Sequence, residues 1–322
     1  MMVRALVLAW VAATIAAVAS PAAAQTFPSK AVTFIVPASA GGPIDILARA
    51  LQPQLQAMWG HPVLVDYKPG VNGVLGTDYV AKALPDGHTV GFVATPHVIN
   101  PGMRQMPFDT ARDLSGVGML GISNVLISAT AGFPANTFQE AIALIKANPK
   151  KFSYASPGSG SALHLAMELL KQKAGIEMLH VPFRGNALMY PEVLAGRVDL
   201  MADPLYTSLR YVRTGKIKAL ALAGNRRSDL APEIPTVSEL AIPGFDVRSI
   251  FAVVVSSRTP RDIVQKLHSD LAAVLRLPDT QKRMVELGIE PQPTTPEQLD
   301  AQFRSDLDRW AQLVKSAGIT ID

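Results

Sequence analysis

The sequence predicts an α/β protein built as two lobes. Short β-branched runs alternate with longer stretches of helical periodicity, the pattern of βα units around largely parallel sheets. The first strand candidate is nearly continuous in apolar residues, as strands buried on both faces are. At 322 residues the chain also exceeds what one hydrophobic core ordinarily organises.

Taken in chain order, residues 1–24 read as a cleavable export signal: Arg4 supplies the positive start, residues 5–18 form an apolar run broken only by Thr14, and Ala22-Ala23-Ala24 offers a small-residue cleavage site. The run is too short for comfortable spanning of a ~30 Å hydrocarbon core, so a periplasmic protein, soluble after cleavage following Ala24, is expected. Residues 31–36 form the first strand. Residues 43–58 then carry Ile44, Leu47, Leu51, Leu55 and Met58 on one helical face, with Pro53 expected to kink the helix. Further strands are expected at 63–66, 89–94, 125–129, 152–155, 200–202, 219–223 and 251–255.

Thr137 with Glu140 spells a capping box, Thr259-Pro260 with Asp262 an N-cap followed by proline at N1, and Thr295-Pro296 repeats that opening. The last helix presents Leu299, Phe303, Leu307, Trp310 and Val314 as a core stripe. One lobe is expected over 25–124 plus 250–322 and the other over 125–249, so that the chain crosses twice and forms a hinge. Composition alone also permits a single split at the middle.

Composition narrows the chemistry. The chain has no cysteine, which removes thiol nucleophiles, zinc–thiolate sites and lipid-modified cysteine. The net charge is +4, with the basic residues dispersed, which argues against nucleic acid and suits a small anionic partner. The six histidines, His61, His88, His97, His164, His180 and His268, include no close metal-ligand pair, and no metal or cofactor is expected. An enzyme reading would set His164 against Ser161, three positions earlier on the same helix face. The sequence names no acid to orient such a pair, and no catalysis is expected.

Two glycine-rich segments stand where a strand hands over to a helix. The first is Val36-Pro37-Ala38-Ser39-Ala40-Gly41-Gly42-Pro43-Ile44-Asp45; its glycines let backbone N–H groups turn toward a group bound at the helix N-terminus, where the dipole favours an anion by roughly 0.3 to 2 kcal/mol. A tight βα turn with no ligand would look the same. The second runs from Phe152 through Ser156, Pro157, Gly158, Ser159, Gly160 and Ser161, where the serine hydroxyls serve equally as helix caps or carboxylate donors. Leu163 stands where a dinucleotide fingerprint would need its third glycine. Arg184, in His180-Val181-Pro182-Phe183-Arg184-Gly185-Asn186, suits bidentate pairing with a carboxylate or an ordinary surface turn. Asp203, ending the 200–202 strand, suits a ligand ammonium or hydroxyl, or the capping of the next segment of chain. The candidate ligand contacts are therefore Pro37, Ala38, Ser39, Ala40, Gly41, Gly42, Asp45, Ser156, Gly158, Ser159, Gly160, Ser161, His164, Arg184 and Asp203.

These segments, with Phe27-Pro28-Ser29-Lys30, Lys68-Pro69-Gly70, Leu84-Pro85-Asp86-Gly87, Gly196-Arg197-Val198-Asp199 and Ile234-Pro235-Thr236-Val237, resemble the Bug family of extracytoplasmic solute receptors, related to the tripartite tricarboxylate transporter receptors. The resemblance implies a periplasmic-binding-protein fold of type II kind, two Rossmann-like lobes joined by crossing strands and closing over a ligand. It implies that the turns at 38–45 and 156–161 hold a ligand carboxylate through backbone amides. The implied partners are a small organic acid or acidic amino acid and a membrane permease or sensor, with the chain itself a monomer. Family ligands range over dicarboxylates, citrate, acidic amino acids and aromatic acids. Asp66-Tyr67-Lys68-Pro69-Gly70, Val71-Asn72-Gly73, Pro157-Gly158-Ser159 and Ala202 depart from the usual family pattern, so the ligand does not follow by analogy.

Overall fold

The computed structural model describes residues 27–319 apart from Arg184; the export signal expected at 1–24 and the candidate Arg184 lie outside the described residues. The strand β1 (Val32–Val36) is nearly all buried and pairs in parallel with β2 (Val63–Tyr67) and β3 (Thr89–Ala94). Helix α1 (Pro43–Trp59) covers the β1–β2 crossover, and a short turn at Val71–Gly73 followed by α2 (Val74–Ala81) covers the next. The α1 helix runs on through Pro53. Its buried face ends on Trp59 rather than on Met58, which is 47% exposed, although both positions suit the stripe. Trp59 Nε1 donates to Asp270 at 2.7 Å, anchoring that end.

After α3 (Pro96–Met103) the chain enters β4 (Leu114–Thr130), the long strand of the molecule. The second half adds α4 (Phe138–Ala147), β5 (Ser153–Ser156), α5 (Ala162–Ala174), β6 (Leu179–Pro182), α6 (Asn186–Leu194), β7 (Leu200–Pro204), α7 (Leu205–Arg213), β8 (Ile217–Leu222) and α8 (Val237–Leu240). The chain returns along β9 (Arg248–Ser256) and closes with α9 (Arg261–Leu275), α10 (Pro278–Glu286), β10 (Glu290–Pro291) and α11 (Pro296–Ala317). The capping box at Thr137 forms as expected; Thr295 is the N-cap before Pro296 as expected, and Gln298 completes a capping box there. Helix α9 starts one residue later than expected: Pro260, not Thr259, is its N-cap, with no side-chain bond.

The strands form one sheet in the order β2-β1-β3-β9-β4-β7-β5-β6, with β8 and β10 also pairing β4. Two parallel groups thus flank a central antiparallel set. Along β4 the partner changes in one step: Asn124 is the last residue opposite β9, pairing Arg248, and Val125 is the first opposite β7, pairing Pro204. The first half of β4 escapes a reading of strand patterns because Gly116, Gly118 and Gly121 interrupt it. Tertiary packing requires two of them: a Cβ on Gly116 would lie 2.8 Å from Leu299, and one on Gly121 only 2.6 Å from the Glu290 carbonyl oxygen.

Buried Glu290 fastens this crossing. Its carboxylate accepts from Asn124 (2.7 Å), Ser228 (2.6 Å) and Arg226 (2.9 Å), joining the last strand to both sides of the β4 step. Helix α11 spans the two halves as well, packing on α3 and β4 and ending beside α5, where Gln172 donates to Ser316 at 2.8 Å.

Candidate functional site

The turn after β1 is shaped by Asp45, the third residue of α1. Gly41 adopts φ +90°, a conformation glycine reaches without penalty, while Gly42 is extended and no side chain caps the helix. Asp45 turns back on the loop: one carboxylate oxygen accepts the Gly41 N–H at 2.7 Å, the other accepts the Tyr67 hydroxyl at 2.6 Å and Arg49 Nε at 3.0 Å. Burial works to raise the Asp45 pKa, but the Gly41 amide, Tyr67 and Arg49 together hold it below the ordinary carboxylate range. An acid that would repel an anion at a helix start is thereby paired with Arg49 and made into a brace for the loop.

In front of this turn lies a cavity of about 330 Å³, at the carboxyl ends of the parallel strands β1, β2 and β3, where ligands bind in open α/β sheets. Pro37, Ala38 and Ser39 line it, as expected. Ala40, Gly41, Gly42 and Asp45 are absent from its lining and belong to the adjoining turn. The remaining polar lining is Asn72, Thr77, His97 and Asn100, none of them among the sequence candidates. The signal was there to be read: Thr95-Pro96-His97 opens a helix directly after a strand, the same junction that drew attention to Pro37–Asp45, but without glycines to mark it. Asn72 stands in the left-handed conformation at φ 54°, and Asn100 holds it by donating to its carbonyl at 3.1 Å.

The second glycine-rich turn is a separate assembly. Buried Ser156 places Oγ 2.6 Å from His180 Nε2 and accepts the Gly158 N–H at 3.2 Å. Gly158 and Gly160 take φ of +143° and +74°. The Gly160 N–H donates to His164 Nδ1 at 3.0 Å, and Ser161 caps α5 by accepting the His164 backbone N–H at 3.2 Å. The rings of Tyr154, His180 and His164 stack, the two imidazoles 3.9 Å apart, while Glu168 accepts from Tyr154 and from Lys171. Burial, reinforced by the neighbouring His180, pushes His164 down to about 4. His164 is thus a neutral acceptor that fixes the loop, and among the described residues no hydrogen bond joins its ring to Ser161 Oγ. Ser159 remains exposed.

Asp203 is fully buried and accepts from Asn186, Tyr190, Thr207 and, at 3.4 Å, Ser208. Burial raises its pKa while these donors pull it back. The carboxylate ties α6 and α7 to the end of β7, the capping alternative in an extended form. None of Ser156, Gly158, Ser159, Gly160, Ser161, His164 or Asp203 lines the first-turn cavity, which belongs wholly to the first half of the chain.

A family model described as tripartite tricarboxylate transporter family receptor matches residues 47–319. The chain belongs to this receptor family. Tripartite tricarboxylate transporter receptors with solved structures share its architecture. The periplasmic binding protein BugD is 32% identical, with a TM-score of 0.72 and coverage of 91% of this chain and 99% of that one. An R. palustris protein solved with adipate is 30% identical, with a TM-score of 0.75 over 91% of this chain and 99% of its own. A TctC solute binding protein from Polaromonas, solved with no ligand, reaches a TM-score of 0.82 at 26% identity, over 90% of this chain and all (100%) of that one. The resemblance to Bug receptors and the periplasmic-binding-protein fold therefore stand, and family and fold are those of solute-binding receptors. No helix among the described residues is long and apolar enough to cross a membrane.

Proposed function

We propose that this receptor captures a small carboxylate-bearing solute between two lobes, 25–124 plus 250–322 and 125–249, and performs no chemistry on it. The observation that carries the reading is the first-turn cavity, a recess of about 330 Å³ whose rim is formed by backbone-rich turns at Pro37–Ser39 and Pro69–Gly73 beside an uncapped helix start. Backbone amides there suit a carboxylate, and the turn at Ser156–Ser161, whose Gly158, Gly160 and Ser161 amides are engaged within the loop, offers its exposed Ser159 from the other lobe. The change of partner along β4 between Asn124 and Val125 supports a hinge at that point. The adipate in the R. palustris relative supports a carboxylate as cargo. The mature receptor, cleaved after Ala24, then works as a soluble periplasmic monomer that presents its closed form to a membrane permease or sensor.

Native mass spectrometry of gently purified protein, together with identification of the retained molecule, tests this directly. A carboxylic acid released on denaturation is the expected result. Retention of a cationic or neutral solute, displaced by no acid, would overturn it.

A further inference from the structure

We propose that Asn100 is a positioning residue of the first-turn cavity: by holding the Asn72 carbonyl it keeps the apex of the turn at Gly70–Gly73 in a left-handed conformation, and in that conformation the turn forms the rim that the ligand meets. This deepens the receptor reading above and rests on it.

Four successive residues of this turn have positive φ: Gly70 at +131°, Val71 at +50°, Asn72 at +54° and Gly73 at +92°. Glycine reaches such values freely, and asparagine reaches them often. Valine does not, because its branched Cβ crowds the backbone there, and Val71 is an outlier for its type. Its side chain is 48% exposed, so burial does not repay the strain. A residue held in this way persists only where its surroundings impose the conformation, and such places gather at ligand clamps. Gly70, Asn72 and Gly73 all line the cavity, and Pro69 precedes them in the same wall.

The exit of the turn is fixed by its own helix. Thr77 donates to the Gly73 carbonyl at 2.9 Å, the Gly73 N–H donates to the Gly70 carbonyl at 3.0 Å, and a Cβ on Gly76 would stand 2.7 Å from Pro37, which seats α2 directly on the first turn. At the apex, Val71 and Asn72, the side-chain support among the described residues comes from Asn100. Its Nδ2 donates to the Asn72 carbonyl at 3.1 Å, and its oxygen faces Asn72 Nδ2 at 3.5 Å. Asn100 is 2% exposed on α3, a helix pressed so closely to α11 that a Cβ on Gly102 would lie 3.0 Å from the Ala311 backbone. A rigid element thus pins a strained one. Without the pin, Val71 sheds its strain by leaving the left-handed region, the rim is competent for only a fraction of the time, and apparent affinity falls by that fraction. Strain and pin are therefore coupled: an asparagine at position 71, which visits the left-handed region at little cost, lessens the need for Asn100. A side chain that bonded the ligand itself would show no such dependence on position 71.

Calorimetry with adipate and malate on the full receptor, as the parent, Asn100→Ala, Val71→Asn and the double variant, tests the coupling. Asn100→Ala is expected to weaken binding about tenfold in the parent and no more than about threefold in the Val71→Asn background. In amide NMR spectra of the ligand-free protein, Asn100→Ala should shift the Asn72 and Gly73 signals. Because Asn100 is buried, Val71→Asn by itself carries a further expectation at an exposed position: a melting temperature higher by about 2 °C, with affinity kept within about threefold. Equal losses in the two backgrounds would make Asn100 a direct ligand contact. Unmoved turn signals, or a lower melting temperature in Val71→Asn, would remove the strained turn from the explanation. Each of these results overturns the positioning role and leaves the carboxylate receptor standing. A parent receptor that binds neither acid would overturn the carboxylate reading and the positioning role with it.

Discussion

Asp45 and Asp203 are both buried carboxylates close to a strand-to-helix junction, yet their surroundings use them differently. Asp45 is braced by a cation, Arg49, and sits below its ordinary pKa; Asp203 has only neutral donors and sits above it. Replacing Asp203 by alanine leaves Asn186, Tyr190 and Thr207 with buried donors unmet, and should lower stability in urea titration by about 2–4 kcal/mol. The variant Gly42→Val separates binding from folding. Gly42 is extended rather than left-handed, and a Cβ there meets only the Ser39 carbonyl oxygen at 3.9 Å. Stability should stay within about 0.5 kcal/mol of the parent, while affinity for whichever acid the receptor retains should fall about tenfold as bulk enters the anion's approach. A calorimetric titration with unchanged affinity would remove this turn from the site. At this scale the sequence displayed the glycines and serines but not the burial of His97 with its ring nitrogens unpartnered among the described residues, properties that no local pattern encodes.

Among the elements, β4 and α11 carry most of the long-range order. The glycines of β4 read as breaks in a strand, whereas the fold uses Gly121 to bring β10 within backbone contact and Gly116 to seat α11. Gly121→Val must displace the Glu290 carbonyl and should cost about 2–4 kcal/mol, whereas Gly132→Ala, whose new Cβ meets nothing within 4 Å, should be near neutral. Comparable losses in both would show that the strand tolerates side chains at Gly121. The capping boxes were legible because their chemistry is complete within four residues. The end of the α1 face was not, since Met58 and Trp59 both suit an apolar stripe and it is Trp59 that meets a partner distant in sequence, Asp270.

For the whole molecule, buried histidines set the response to acid. His97 and His164 are held at about 4 and His180 is also lowered, all by burial first. Between the ordinary histidine pKa near 6.5 and these depressed values the unfolded chain binds more protons than the folded one. Their neutral forms therefore support the fold fully above about pH 6.5, and that support is lost as pH falls toward about 4. Urea midpoints should drop on going from about pH 7.5 to about pH 5, and His164→Asn, whose amide oxygen can still accept the Gly160 N–H, should lose less over the same interval. An identical drop in the variant would assign the effect elsewhere. The proposed closure belongs to the same scale: the binding free energy that would stabilise a closed form is the difference in affinity between two lobe arrangements. Solution scattering should show a smaller radius when the receptor is saturated with an acid it binds, and an unchanged profile would mean that the Glu290 knot and α11 hold the halves fixed.

By itself the sequence determined the α/β class, most of its strands and helices and the caps at Thr137 and Thr295, and it marked the first turn as a candidate place for an anion. These arise from hydrophobic period and short-range hydrogen bonding, both of which act over a few residues. Only the tertiary structure decided that β4 is a single strand shared by both halves, that Asp45, His164 and Asp203 are engaged in holding loops and helices, and that His97 is buried beside the first-turn cavity. Burial and partner choice depend on residues far apart in the chain, and their energies exist only once those residues are brought together.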